Sequence, residues 1–520
     1  MSKASILGRA ALVLAITLAS ASRSYGQRDH AGPFIPLGSR LDRLVSWSIL
    51  DGALASIDPL TRPYRLAAIR RAAAEQDTTI LSSAGLRAFG WVRSELDRAS
   101  DSTAFVAELG HASYRNGRRD SFRQGGRAGT GTMGGIWMSL GRGPFVAVVN
   151  PAFENRLKDD PEFTGDTDRF IAGRLQSGYV AVTGEAGDLF LGRTSRNWGP
   201  SLFDGLQLSP SAYATDMISG ALRMGRFELT TIAQRLDDYD TTLAVSVTRW
   251  FFAHRLTVHA GRGVWLAFTE TGVYGGPGRG FEPAFHAPLN LGLLTEVNEH
   301  REVNVLLGIE AHAGLGRGLS IAAQGVIDDI QIDRDTLTDW RPTSGGFTVQ
   351  LTAALAKAPV HVSFGYTQVR SLTYRNSSTP WGIYAVRGVG IARNFADYDQ
   401  VMLRLAAKRS AAWGVALDVS YLRQGSGDFR QPFPSDSVLA QAGQGFLVAP
   451  VRSAAAVRLV AEAEPLAGVL VNGEIGVNGA ATGAAPGIAA VAVRVRFDAL
   501  ARQFGSVWGA VEPGDGRSWP

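Results

Sequence analysis

The sequence predicts a mainly β protein: a transmembrane antiparallel β-barrel of about 16–18 strands behind a small N-terminal helical segment. Three observations predict it. Apolar and polar residues alternate with period two over most of the chain, in segments of roughly nine to eleven residues that end at Gly, Asn, Asp or Pro. The start of the chain has the three parts of an export signal, yet after it no run of 18 or more strongly apolar residues could form a membrane helix. The composition, 45% hydrophobic and 19% charged with mean hydropathy +0.01, is too apolar for a disordered chain and too polar for a bundle of membrane helices.

The elements follow in chain order. Residues 1–21 read as a signal peptide: Lys3 and Arg9 precede the run AALVLAITLA, and Ala19-Ser20-Ala21 offers a cleavage site, with a later cut possible after Gly26. Residues 35–100 read as a periplasmic helical segment. In it Leu66, Ile69 and Ala73 fall on one helix face, as do Leu86, Phe89 and Leu96 on another, with Pro63 in a tolerated first-turn position. Residues 101–498 read as the barrel. Val471, Gly473, Ile475 and Val477 alternate there with Asn472, Glu474, Gly476 and Asn478, and Val415, Leu417, Val419 and Tyr421 with Ala416, Asp418, Ser420 and Leu422. Similar alternation recurs around Val360–Tyr366, Val401–Leu405 and Val491–Phe497. At roughly 22 residues per strand and connection, this stretch holds the stated number of strands. Aromatic groups such as Trp250-Phe251-Phe252 and Tyr421 suit an interfacial girdle. Residues 499–520 form a C-terminal tail.

A soluble sandwich or propeller would also alternate, burying its apolar face. The barrel is favoured because the opposite face carries Arg, Glu, Asp and His among small residues, as a wet interior requires, and no fixed repeat marks a propeller. Chemistry is sparse. With no cysteine, disulfides, thiolate zinc sites and thiol catalysis are excluded. Basic and acidic residues are interspersed at a net charge of +5, which gives no basic stripe for a nucleic acid. No G-x-S-x-G, H-E-x-x-H or P-loop motif occurs, and GGPGRG at 275–280 lacks dinucleotide spacing. Glu310 and His312 share a strand face and read as a solvated pair rather than a metal site. Neither catalysis nor a cofactor is expected.

Two phrases are more specific: GDLFLGRTSRNWGPSLFDGLQLSPSA at 187–212 and FTETGVYGGPGRGFEPAFHAPLNL at 268–291, followed by VNVLLGIEA and GVIDDIQID. Here the chain resembles the Wzi-type capsule assembly family of outer-membrane barrels. The residues carrying the resemblance are Arg193, Trp198-Gly199-Pro200, Leu206-Gln207-Leu208-Ser209, Glu270, Tyr274-Gly275-Gly276, Arg279, Pro288-Leu289-Asn290, Asn304-Val305 and Asp328-Asp329. The resemblance implies a barrel of 18 strands in the outer membrane of a diderm bacterium, with lipid and capsular or extracellular polysaccharide as partners. A porin-like diffusion channel is the alternative function. Candidate residues for glycan binding or for bracing the lumen are Arg193, Trp198, Glu270, Arg279, Asn304, Asp328 and Asp329. An indole can stack on a sugar face and Arg–Glu pairs can bind hydroxyls; the same groups can equally fasten a folded-in loop.

Overall fold

The computed structural model describes residues 32–99, 103–115, 129–155, 157, 163, 165–166, 168, 172–240, 246–316, 318–329, 344–355, 358–376, 379–434, 446–480 and 487–498. The expected signal peptide and the tail 499–520 lie outside the described residues. Eighteen strands close into one antiparallel barrel. The first six are β1 (Thr103–Arg115), β2 (Gly129–Arg142), β3 (Phe145–Glu154), β4 (Gly173–Thr183), β5 (Gly187–Arg193) and β6 (Asp216–Met224). Next come β7 (Phe227–Arg235), β8 (Ser246–Gly261), β9 (Val264–Gly276), β10 (Asn304–Gly316), β11 (Leu319–Asp329) and β12 (Ser344–Ala354). The last are β13 (Val360–Val369), β14 (Tyr398–Ser410), β15 (Trp413–Gln424), β16 (Arg452–Leu466), β17 (Val469–Ala480) and β18 (Gly487–Asp498). Pairing of β18 with β1, from Val106↔Asp498 to Arg115↔Ala489, removes the sheet edges.

The alternation seen in the sequence turns this barrel inside out relative to a soluble protein. Ile475 is 62% exposed and Phe497 54%, whereas Glu474 is 6% and Arg494 2% exposed. An outward apolar band around a wall whose inner face carries charge is the pattern of a membrane-spanning barrel. No described helix is long and apolar enough to cross a membrane. The two ends differ. At one, strands turn within two residues, as between Met224 and Phe227 and between Gly261 and Val264. Gly225 (φ +60°) and Gly263 (φ +65°) supply the left-handed backbone these tight hairpins require. At the other end the connections are long, notably 194–215, 277–303 and 370–397.

Three helices precede the barrel: α1 (Arg40–Leu50), α2 (Leu66–Glu75) and α3 (Ser83–Leu96). The Ser39 and Ser82 side chains cap α1 and α3 by accepting from Asp42 N and Gly85 N. Two expectations of detail change. Pro63 lies ahead of α2, because Thr61–Arg62 is drawn into a short ladder with Asn197–Trp198. Leu86 is exposed, and the buried face of α3 runs instead through Ala88, Phe89, Val92 and Leu96.

The helical segment sits in the short-turn end of the barrel and is fastened around its circumference. Arg40 Nη1 meets Glu464 Oε2 at 2.5 Å, and Arg43 pairs with Glu462 on the same strand. On other sides Arg65 reaches Asp188 at 3.2 Å, and Asp51 Oδ1 lies 2.9 Å from His361 Nε2. The Trp47 indole stacks on that imidazole with centroids 3.7 Å apart.

Candidate functional site

From the long-loop end, residues 194–215 run down inside the barrel to meet the helical segment. Trp198 is fully buried, its backbone paired with Thr61, and Gly199 N donates to Leu60 O at 2.9 Å. The turn closes on itself as Trp198 N donates to Leu208 O (2.9 Å) and Gly205 N to Asn197 Oδ1 (2.8 Å). The wall supplies the remaining partners. Gln324 Oε1 accepts from Leu206 N at 2.8 Å, while its Nε2 donates to Trp198 O (3.0 Å) and Glu310 Oε1 (2.9 Å). Glu310 Oε2 is 2.7 Å from Arg255 Nη2, and Arg255 Nη1 is 3.0 Å from Asp58 Oδ2 of the helical segment. The Arg255 guanidinium lies 5.8 Å from the Trp198 ring centroid. One inward arginine thus joins wall, loop and N-terminal segment. A further loop arginine, Arg196, stacks on Phe190 at 5.0 Å and donates to Ser219 Oγ; burial pulls its guanidinium down to about 10.

Residues 370–397 fold inward above this turn. Asn304 Nδ2 donates to Arg375 O (3.1 Å) and Gly382 O (2.9 Å), and Asp328 Oδ2 accepts from Tyr374 N at 2.5 Å. Arg249 donates to the Trp381, Ile383 and Ala385 carbonyls, and Tyr374 Oη donates to Leu206 O. Burial raises the Tyr374 and Tyr384 phenols far above their ordinary range, so both act as neutral donors. The backbone of these two inward loops would be costly to bury unpaired; wall side chains satisfy it.

The candidate residues therefore divide. Trp198 belongs to the stopper formed by these inward loops, and Asn304 and Asp328 hold it from the wall. Arg193 stands at the end of β5 in a cross-strand pair with Asp216, Nε–Oδ1 2.7 Å. The side chain of Asp329 is outside the described set; its backbone pairs with Ser344. Glu270 and Arg279 stand elsewhere, because Glu270 shares strand parity with the exposed Phe268 and points away from the lumen. There it accepts from Gly292 N (2.9 Å) and Leu293 N (3.0 Å), with His254 Nδ1 at 3.4 Å. Arg279 pairs with Glu282 at 2.5 Å and covers the Tyr274 ring at 4.8 Å. Two helices of the 277–303 loop, α4 (Pro283–His286) and α5 (Gly292–Glu299), lie over the outer wall. The expected Trp250-Phe251-Phe252 girdle is also redistributed: Phe251 faces inward against Tyr384, and Phe252 is covered by Phe285. Sequence reasoning missed Arg249, Arg255, Gln324 and Tyr384; only the alternation of Arg255 with the outward Leu256 pointed inward.

Beside the stopper, a cavity of about 640 Å³ occupies the part of the lumen facing β14–β17. Phe163, Tyr213 and Arg387 line it towards the long loops, and Arg43, Lys408 and Glu462 towards the short turns. The Arg174 guanidinium covers the Tyr213 ring at 5.0 Å, and Arg404 holds Asp418 in a two-bonded pair. Both carboxylate oxygens of Glu474, also in the lining, lack a hydrogen-bond partner among the described residues. Among those residues no group of three or more His, Asp or Glu is placed to hold a metal ion.

An apolar outer belt and a closed sheet, with two loops folded into the lumen, define a transmembrane β-barrel of the outer-membrane type. Among solved structures the fold is that of Wzi from Escherichia coli, described as an outer-membrane protein involved in group 1 capsule assembly and a carbohydrate-binding β-barrel. The two share 12% identity and a TM-score of 0.65 over 90% of this chain and 100% of Wzi. Weaker matches include Pseudomonas aeruginosa OprD (9% identity, 76% of this chain and 96% of that one, TM-score 0.44) and OccK3 (10%, 79% and 100%, 0.44). No family model matches the sequence, and no curated protein sequence does.

Proposed function

We propose that this barrel binds surface polysaccharide and helps assemble or attach a capsule or exopolysaccharide layer, without catalysing a reaction. The observation that carries this reading is the stopper. Residues 194–215, residues 370–397 and the helical segment are bonded to one another and to the wall inside the lumen, whereas a diffusion channel of this strand number needs a continuous aqueous path. In barrels of this type the short turns face the periplasm, which supports a periplasmic helical segment and long loops on the outside. The carbohydrate binding described for Wzi supports a saccharide as the partner. So does the cavity chemistry: aromatic faces for sugar C–H groups, arginines for acidic sugars, and the Glu474 carboxylate for hydroxyl donors. A polymer would engage several such weak sites at once and gain by multivalency.

The test pairs two measurements on the full chain. Purified protein reconstituted in planar bilayers is expected to show no steady porin-like conductance, and immobilised protein is expected to retain the host's surface polysaccharide. A strain lacking the gene is expected to shed that polysaccharide into the medium. Steady open-channel conductance together with unchanged polysaccharide retention would establish the porin reading instead.

A further inference from the structure

The loop 277–303 poses a question that polysaccharide binding leaves unanswered. Glu270 lies six residues beyond Val264, the first residue after a short turn, and a tilted strand needs about 9–11 residues to cross a bilayer. Its outward side chain therefore falls at the height of the hydrocarbon, beside the likewise outward His254. An uncovered carboxylate–imidazole pair facing lipid would be strongly unfavourable. In this molecule α5 begins over the pair: its first amides bond both Glu270 oxygens, and its positive dipole end faces the carboxylate. Phe252, Tyr274, Phe285, Val303 and Val305 form a separate apolar cluster that seals the contact.

The far side of this cover is greasy. Leu289 is 88% exposed, and Leu291, Leu294 and Val297 are exposed at successive three-residue steps. The patch continues the lipid-facing belt of Leu256, Phe268 and Ile309 on the wall below it. It ends in the charged run Glu299-His300-Arg301-Glu302.

We infer that α4 and α5 are a membrane-immersed bracket whose exposed side contacts the acyl chains of the outer-membrane lipid, with the charged run at headgroup level. The argument is continuity: a cover placed over a lipid-facing wall must itself present an apolar exterior, and this one does. The bracket is also anchored by a buried contact, the Glu270 carboxylate accepting the first two amides of α5.

The chain has no cysteine, so single-cysteine probes can be placed without background. L294C and V297C, labelled with a small fluorophore, are to be reconstituted in phosphatidylcholine vesicles with brominated acyl chains. F268C serves as the belt control and T78C as the aqueous control, each first shown to be folded by its heat-modifiable gel mobility. The bracket labels are expected to match F268C, with quenching by bromolipid several-fold above T78C and little quenching by aqueous iodide. Iodide quenching at the level of T78C would overturn the proposal. So would loss of bromolipid quenching with cross-linking between L294C copies, which would mark a protein–protein interface.

Discussion

Loops 194–215 and 277–303 both leave the long-loop end of the barrel, and both carry one of the two most distinctive phrases of the sequence. They nevertheless turn opposite ways. The first descends into the lumen and is received by inward side chains at Arg255, Glu310 and Gln324. The second drapes over the outer wall and is received by outward side chains at His254 and Glu270. Arg255 and His254 are neighbours in β8, and Glu310 and Glu270 lie on adjacent strands. Strand parity alone thus decides which loop a charged residue recruits. A barrel wall has two usable faces, and each polar group must be met on its own side.

The inward contact should be the harder to break. Arg255→Met leaves Glu310 and Asp58 buried with their shared cation gone, a loss of about 3–5 kcal/mol for breaking a buried pair from one side. The temperature at which the folded gel band disappears is expected to drop, and conductance in planar bilayers to rise as the stopper loosens. If R255M kept both the wild-type transition and the silent bilayer, the stopper would not depend on this junction. Adding Glu310→Gln to R255M is expected to recover part of the loss, since one of the stranded charges is then removed.

The outer contact is held by backbone amides and not by a buried cation. Glu270→Ala strips two helix-start amides of their acceptor but removes the buried carboxylate with it, so no stranded charge remains, and each amide left unsatisfied costs about 1–3 kcal/mol. Because the wall strands remain paired, hydrogen exchange is expected to accelerate in 283–299 while β8 and β9 stay protected. Uniform acceleration across the barrel would mean that the bracket and wall unfold as one unit.

These contrasts explain what could be read from residues alone. The belt was legible because Ile475, Val477 and Phe497 are answerable to a local period of two. The outward face of Glu270 was equally available, since Phe268, Glu270, Gly272 and Tyr274 keep one parity; naming Glu270 among residues for glycan binding or for bracing the lumen ignored it. The stopper was not legible in that way. Gln324 meets Trp198 across 126 positions of sequence, and nothing near W-G-P indicates that its loop will turn inward to pair with Thr61–Arg62. The cavity is further removed still, since it is the lumen volume that three separate segments leave unfilled.

The smallest effect on folding is expected at Arg193, and it discriminates most sharply between bracing and binding. Its pair with Asp216 has good geometry but lies on the rim, with the carboxylate largely exposed, and pairs of that kind contribute less than about 1 kcal/mol. Arg193→Ala should therefore leave gel mobility and bilayer silence as they are. Yet Arg193 also lines the cavity beside Tyr213, where a guanidinium can take a carboxylate or hydroxyl of a sugar once Asp216 yields it. Polysaccharide retention on the immobilised protein is accordingly expected to fall several-fold in R193A at unchanged stability. Full retention would move the binding surface away from the cavity mouth, and a loss of stability comparable to that of R255M would make Arg193 a part of the stopper after all.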